Sequence, residues 1–301
     1  MKKRYQVNRQ KPDSFAQPKS RSLNDTTQDS HYIHGTSNSE QARLTLTNNL
    51  LNARSLGEAN IRAGDKILDL GSGLGQLSCL MAQSAQPGGN VVGIERSKDQ
   101  IKAALELAKE RGVERIVQFR EGDVNTMPLT EEEWGSFDVA HARFLLEHVP
   151  DPQNVVQFMI KAVKKSGRII LEDDDHDIMR LWPEPSWFGK LWDAYMRSYE
   201  CLGNNPRIGR SLISLLKNAG ANPVRNTWIW FGSCSGDATF GSTVDNLIGV
   251  IVGAKEVMLE QGLIRHREFN EGLASLREWK NRGDAAYWYA AAWAEGVKAD
   301  L

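Results

Sequence analysis

Residues 67–78 read ILDLGSGLGQLS: a short apolar run, then Gly71, Gly73 and Gly75 at alternate positions, then the opening of an amphipathic segment. A buried strand that passes through a glycine turn into a helix leaves backbone amides exposed at the helix entry, where a ligand can approach closely. The spacing also excludes two common uses of such a loop. A dinucleotide fingerprint needs glycine or alanine three residues past Gly73, and that position is Gln76. The Lys-Ser/Thr pair of a nucleoside triphosphate loop is absent as well.

The same rhythm continues for a hundred residues. Strands are expected at 66–70, 90–95, 115–119, 137–142 and 167–172, and helices at 76–85, 98–111, 143–148 and 153–164. Alternation of this kind, with short joints, predicts an α/β fold whose parallel sheet is covered on both faces. Past 172 the alternation loosens. Six aromatic residues (Trp182, Trp187, Phe188, Trp192, Tyr195, Tyr199) crowd 178–200, a helix is expected at 208–219, a strand at 224–232 and helices over 243–280. The alanines of 284–296 favour helix, but a last antiparallel strand suits the architecture, and strand is the expectation.

Ahead of the alternation, 37–57 has helical leucine spacing with Asn38 and Gln41 placed as a capping box. The domain reading is a disordered basic arm at 1–30, a helical segment at 31–60, a core over 61–235 plus 284–298, and helical insertions at 177–206 and 238–283. The arm matters to the charge. Residues 1–21 hold seven Lys/Arg and one Asp, a charge of +6, which leaves 30 basic and 37 acidic residues and −7 on the rest. An acidic body is a poor binder of phosphate backbones, which argues against nucleic acid as partner. No apolar run reaches the length of a membrane span or a signal peptide core, and the three cysteines, widely spaced, fit neither a disulfide framework nor a zinc site. A reducing cytoplasm is the expected location.

Two acids extend the glycine loop into a site. Glu95 ends the second strand, where a carboxylate can accept both hydroxyls of a ribose; Asp123 comes after the third, where it can accept from an adenine amino group while the Val124 amide donates to the ring. Each falls at the edge where open sheets bind ligands, and together they outline an adenosine site.

These residues resemble the class I S-adenosylmethionine-dependent methyltransferases. The D-x-G-x-G-x-G loop at 69–75, the acid at 95, the Gly-Asp at 122–123 and the run FDVAHARFLLEHVPDP at 137–152 match that family's motifs in order and spacing, over roughly 60–235. The resemblance implies a doubly wound, mostly parallel sheet of seven strands with an N-terminal cap and helical insertions. It implies S-adenosylmethionine as cofactor, with Asp69, Gly71, Gly73, Gly75 and Gln76 around its methionine end, Glu95 on the ribose, and Asp123 with Val124 on the adenine. Arg143 joins these contacts, and the YIHGTSNSEQARL stretch, which looks like the cap of small-molecule members, adds Tyr32 and Arg43.

The acceptor side lies just past strands four and five. The chain has Ala142-Arg143-Phe144-Leu145 where polymer-methylating members carry a Pro-Pro-aromatic loop, and a small organic acceptor is expected. Ala142 and Arg143 also cannot ligate a hard cation, so no metal is expected despite the acids at 173–175. The LEH of 146–148 is similar to an LxH motif of small-molecule members, which implies His148 as general base with Asp173 as its acid, Glu172 and His176 being lesser candidates. The expected function is methyl transfer to O, N or C of a small molecule. Methylation of RNA or protein, for which only the basic arm speaks, and cofactor binding without catalysis are the rivals. Oligomers could form through the C-terminal helices.

Overall fold

The computed structural model describes residues 51–299; Tyr32, Arg43, the basic arm and most of the cap lie outside them. The chain enters through helix α1 (51–59) and then alternates β1 (Lys66–Leu70), α2 (Gln76–Ser84), β2 (Asn90–Glu95), α3 (Lys98–Glu110), β3 (Val117–Glu121), β4 (Phe137–Arg143), α4 (Pro152–Ala162) and β5 (Val163–Asp174). Short β6 (Arg180–Trp182), α5 (Phe188–Cys201) and α6 (Leu212–Ala219) come next, then β7 (Ala221–Cys234), α7 (Phe240–Gly253), α8 (Lys255–Glu260), α9 (His266–Trp279) and β8 (Ala286–Lys298).

These strands form one sheet in the order β3-β2-β1-β4-β5-β8-β6, with β7 paired to β8. The five from β1 to β5 are mutually parallel, and β8 runs antiparallel to β5, β6 and β7. The order reverses between β1 and β4. In a doubly wound sheet the crevice at the carboxyl ends of two such strands is where ligands bind. One apolar cluster lies under α4 and α6, a second under α1 and α2, and a third joins α5, α7, α8 and α9 beside the carboxyl edge.

Four expectations are corrected. The sheet has eight strands instead of seven, because β8 runs past the end of β5 and its first residues pair with β6, Arg180 opposite Trp288. The helix expected at 143–148 is absent. β4 continues to Arg143, Phe144 has φ 50°, and only Leu146–His148 forms a 3-10 turn. A carboxylate explains this: Asp173 Oδ2 accepts from the amides of Leu145 and Leu146 at 3.2 and 2.7 Å, which pins the turn against β5. The third strand lies at Val117–Glu121, two residues later than expected. The helix expected at 208–219 begins as a 3-10 turn, Ile208–Ser211, before α6.

The alanine-rich segment is strand β8, two residues later than expected. Ala290, Ala291, Ala292 and Ala294 are buried, and a Cβ on Gly209 would stand 2.9 Å from that of Ala292. Small side chains are needed where a neighbouring segment comes that close, and burial on both faces overrides their helical preference. No helix among the described residues is long and apolar enough to cross a membrane.

Candidate functional site

The glycine loop makes its turn with left-handed backbone at all three glycines, φ 67°, 55° and 72° at Gly71, Gly73 and Gly75. Amides of Gly71 and Ser72 both donate to the Ile94 carbonyl, at 2.9 and 3.1 Å, which ties the loop to the end of β2. Asp69, at the loop's foot, is buried and already engaged: one oxygen accepts the Ser78 hydroxyl and the other lies 2.8 Å from His141 Nδ1. Gly75 does not face the cavity. A Cβ there would stand 2.5 Å from Phe119 and 2.8 Å from Ala104, so its glycine serves the turn and the packing of α2.

Glu95 sits where β2 ends and is buried. Its Oε2 accepts from the Gly73 amide at 3.0 Å and its Oε1 from the Ser97 amide at 2.9 Å, at the N-terminus of α3. Asp123 is exposed after β3, its Oδ1 accepting from the Asn125 amide and side chain, both at 2.8 Å. Val124 beside it is buried.

A cavity of about 410 Å³ joins these groups. Its walls run from Asp69, Gly71, Gly73, Gln76, Glu95, Asp123 and Val124, past Arg143 and His148, to a chamber of Trp192, Tyr195, Tyr199, Asn246, Trp279 and Tyr289. Most of the sequence candidates within the described residues thus meet in one place. Gln76 and Arg143 are held there by α1: Asn52 donates to Gln76 at 3.3 Å, and Arg143 donates to Asn52 at 2.9 Å and Ser55 at 3.2 Å. Ser55 also donates to Glu172 at 2.9 Å, and burial raises the Glu172 carboxyl above its ordinary range. Asn52 and Ser55 carry no motif that would have marked them.

Asp173 is absent from the cavity wall. Its carboxylate is fully buried against the amides of 145, 146 and 174, so it shapes the turn and cannot meet an acceptor. Its neighbour Asp174 reaches the cavity in its place. There Glu147, which no sequence motif marks, bridges two imidazoles: Oε1 is 3.3 Å from His148 Nε2 and Oε2 is 3.2 Å from His176 Nε2. Asp174 Oδ2 lies 3.7 Å from the same His176 nitrogen.

The charges are set by this packing. Burial alone would raise Glu147, but the two imidazoles outweigh it and hold its carboxyl well below the ordinary range. Burial and the Glu147 charge push Asp174 up to about 7. For His176, burial opposes the imidazolium, yet the Glu147 hydrogen bond and the Asp174 charge prevail and raise it. Glu147, Asp174 and His176 each offer a ligand atom, all within 4.8 Å of one another, but a cation there would have to displace the Glu147–His176 hydrogen bond.

The family model described as a methyltransferase domain matches residues 61–203. A demethylmenaquinone methyltransferase of Lactobacillus johnsonii is 29% identical over 152 residues, 48% of this chain and 61% of the relative. A ubiquinone biosynthesis O-methyltransferase of Pseudomonas aeruginosa is 38% identical over 109 residues, 36% of this chain and 44% of that one. The chain therefore spans less than two thirds of the length of either relative. Among solved structures, a protein of Bacillus halodurans assigned as a methyltransferase superposes with a TM-score of 0.54 at 16% identity, over 83% of this chain and 99% of that one, a likeness of fold.

Proposed function

We propose that the chain, whose residues 61–203 match the methyltransferase-domain family model, is a class I S-adenosylmethionine-dependent methyltransferase that transfers the methyl group of S-adenosylmethionine to a small organic acceptor. The observation that carries this reading is the junction of three strand ends on one cavity: the glycine loop after β1, Glu95 closing β2 and Asp123 after β3. Those groups fit the cofactor chemically. Left-handed glycines let the loop backbone approach a ligand, and two carboxylates at the next strand ends match the hydroxyl donors of a ribose and the amino group of an adenine.

In this reading Gly71, Gly73 and Gln76 surround the amino-acid end of the cofactor. Asp69 acts from beneath by fixing His141 and Ser78. Glu95 accepts from the ribose with the lone pairs left over from its two amide contacts, Asp123 and Val124 take the adenine, and Arg143 is steered by Asn52 and Ser55. When bound, the cofactor supplies a sulfonium methyl open to in-line displacement. The chain's own part is to align the acceptor and exclude water, for which the aromatic chamber around Tyr195, Tyr199 and Tyr289 is suited. His148 forms part of the chamber wall and stacks on Tyr199 at 5.7 Å.

Calorimetry with S-adenosylhomocysteine and NAD tests the cofactor site. Binding of the first and not the second is expected, and the reverse would overturn the assignment. Transfer from labelled S-adenosylmethionine to a panel of small acceptors, with the labelled product located by mass, tests the reaction. Cofactor binding without transfer to any small molecule, RNA or protein would leave a binding protein instead of an enzyme.

A further inference from the structure

Of the two imidazoles that share Glu147, His176 is the one whose surroundings define a chemical role. It is 4% exposed, and rings of Trp192, Tyr195, Tyr199 and Tyr289 stand around it at 5.1–6.3 Å. Its Nε2 faces Glu147 Oε2 at 3.2 Å. A carboxylate on one ring nitrogen keeps the proton on that nitrogen, so the neutral ring carries its lone pair on Nδ1. That Nδ1 is buried and finds no hydrogen-bond partner, and neither does Asp174 Oδ1. A buried polar atom without a partner is costly to maintain, and both residues line the cavity. Carboxylate, imidazole and a ring nitrogen left without a partner, in a residue that lines the substrate chamber, are the parts of a general base with its orienting group.

We propose that His176, oriented by Glu147, is the general base of the methyl transfer, and that the acceptor it serves is an acidic hydroxyl, a phenol or an enol. This rests on the methyltransferase reading above. An amine acceptor is nucleophilic once neutral and has no need of an oriented base, whereas a hydroxyl must lose its proton as it attacks. Acidity grades the hydroxyls: a phenol such as tyrosine, near pKa of about 10, yields its proton to an imidazole far more readily than an aliphatic alcohol does. A planar acceptor also matches the aromatic walls.

In the step proposed, the acceptor O–H gives its proton to His176 Nδ1. The oxygen pair forms the O–CH₃ bond as the S–CH₃ bond breaks, and the bonding pair stays on sulfur as the neutral thioether. The imidazolium, paired with Glu147, returns its proton to water when the products leave. Glu147 is a positioning residue, since it acts through His176.

The test uses the full chain, S-adenosylmethionine and a panel of mono- and bicyclic phenols and cyclic 1,3-diketones, each phenol matched by the aniline of the same skeleton. His176→Gln keeps a donor for Glu147 but removes the Nδ1 base. Methylation of phenols or enols in preference to anilines is expected. In H176Q at pH 8, kcat should fall by roughly 10²-fold or more for 4-methoxyphenol and far less for 4-nitrophenol, which is already largely ionised at that pH. S-adenosylhomocysteine affinity should stay within about twofold, and a purely structural loss would depress both phenols equally. The proposal is overturned by equal losses on the two phenols, by an unimpaired H176Q enzyme, by preference for anilines, or by no transfer to any panel member. Failure to bind S-adenosylhomocysteine would instead overturn the reading on which it rests.

Discussion

The Glu95 carboxylate accepts from the Gly73 amide at 3.0 Å, so the end of β2 holds the middle of the loop that succeeds β1. One side chain therefore has two duties: it shapes the loop and, in the proposed function, it receives the ribose. Glu95→Ala should weaken S-adenosylhomocysteine binding by about 1.5–3 kcal/mol, the range of a charge-assisted hydrogen bond. Glu95→Gln, which retains a carbonyl for the Gly73 amide, should lose less. Calorimetry on both variants reads the difference, and equal affinity across wild type and both variants would remove Glu95 from the site.

Gly75→Ala should destabilise the fold while leaving the cavity wall chemically unchanged. The added methyl would meet Phe119 at 2.5 Å and Ala104 at 2.8 Å, and the backbone there is left-handed at φ 72°. Overpacking costs about 1–3 kcal/mol, and the left-handed conformation about 1–2 kcal/mol for a residue with a Cβ. Urea denaturation should show the loss as a lower midpoint with an unchanged slope.

Asp174 makes stability depend on pH in a definite direction. Its carboxyl is raised to about 7, so between about 4 and 7 the folded chain holds a proton that the unfolded chain has released. Stability contributed by this group therefore falls as pH rises through that window, by on the order of a few kcal/mol. Asp174→Asn should flatten the decline in melting temperature from pH 5 to pH 8. Parallel declines in variant and wild type would show that Asp174 is ionised throughout.

Methyl transfer should survive a chelator. β4 ends in Ala142 and Arg143, the guanidinium of Arg143 is turned to Asn52 and Ser55, and the nearby Glu147 and His176 are hydrogen-bonded to each other. Turnover with and without EDTA, once an acceptor is in hand, checks this. Activity lost to EDTA and restored by magnesium or manganese would mean that Glu147, Asp174 and His176 take up a cation during the reaction.

How much of the fold and site was legible in the sequence depended on whether the groups were close along the chain. The loop, Glu95 and Asp123 each come after a strand whose apolar run announces it, and a parallel sheet brings successive strand ends together by topology alone. The acceptor side had no such guide. Asp173 and Asp174 are adjacent, and only the backbone alternation of β5 decides which of them reaches the cavity and which holds the turn at Leu145 and Leu146. Glu147 looked like an unremarkable acid between Leu146 and His148, and its two imidazole partners come from different segments. Asn52 and Ser55 act from a helix that precedes the glycine loop. The eighth strand leaves no mark in the sequence, because three residues, Arg180–Trp182, are too short to show a period.

Strand β8 pairs with β5, β6 and β7, all of which precede it in the chain, and it carries the fully buried Trp293 between them. During synthesis the half of the sheet beyond β5 has no partner until residue 298 has been made. A chain emerging from the ribosome can assemble β1 to β5 early, but the aromatic chamber, with Tyr289 in its wall, waits until β8 has been made. Until then β5 and β7 present unpaired edges, the condition under which nascent chains aggregate or recruit chaperones. Release of a protein cut before β8 should thus yield a nucleated but open sheet, prone to associate with its own copies through the edge that β8 would have covered.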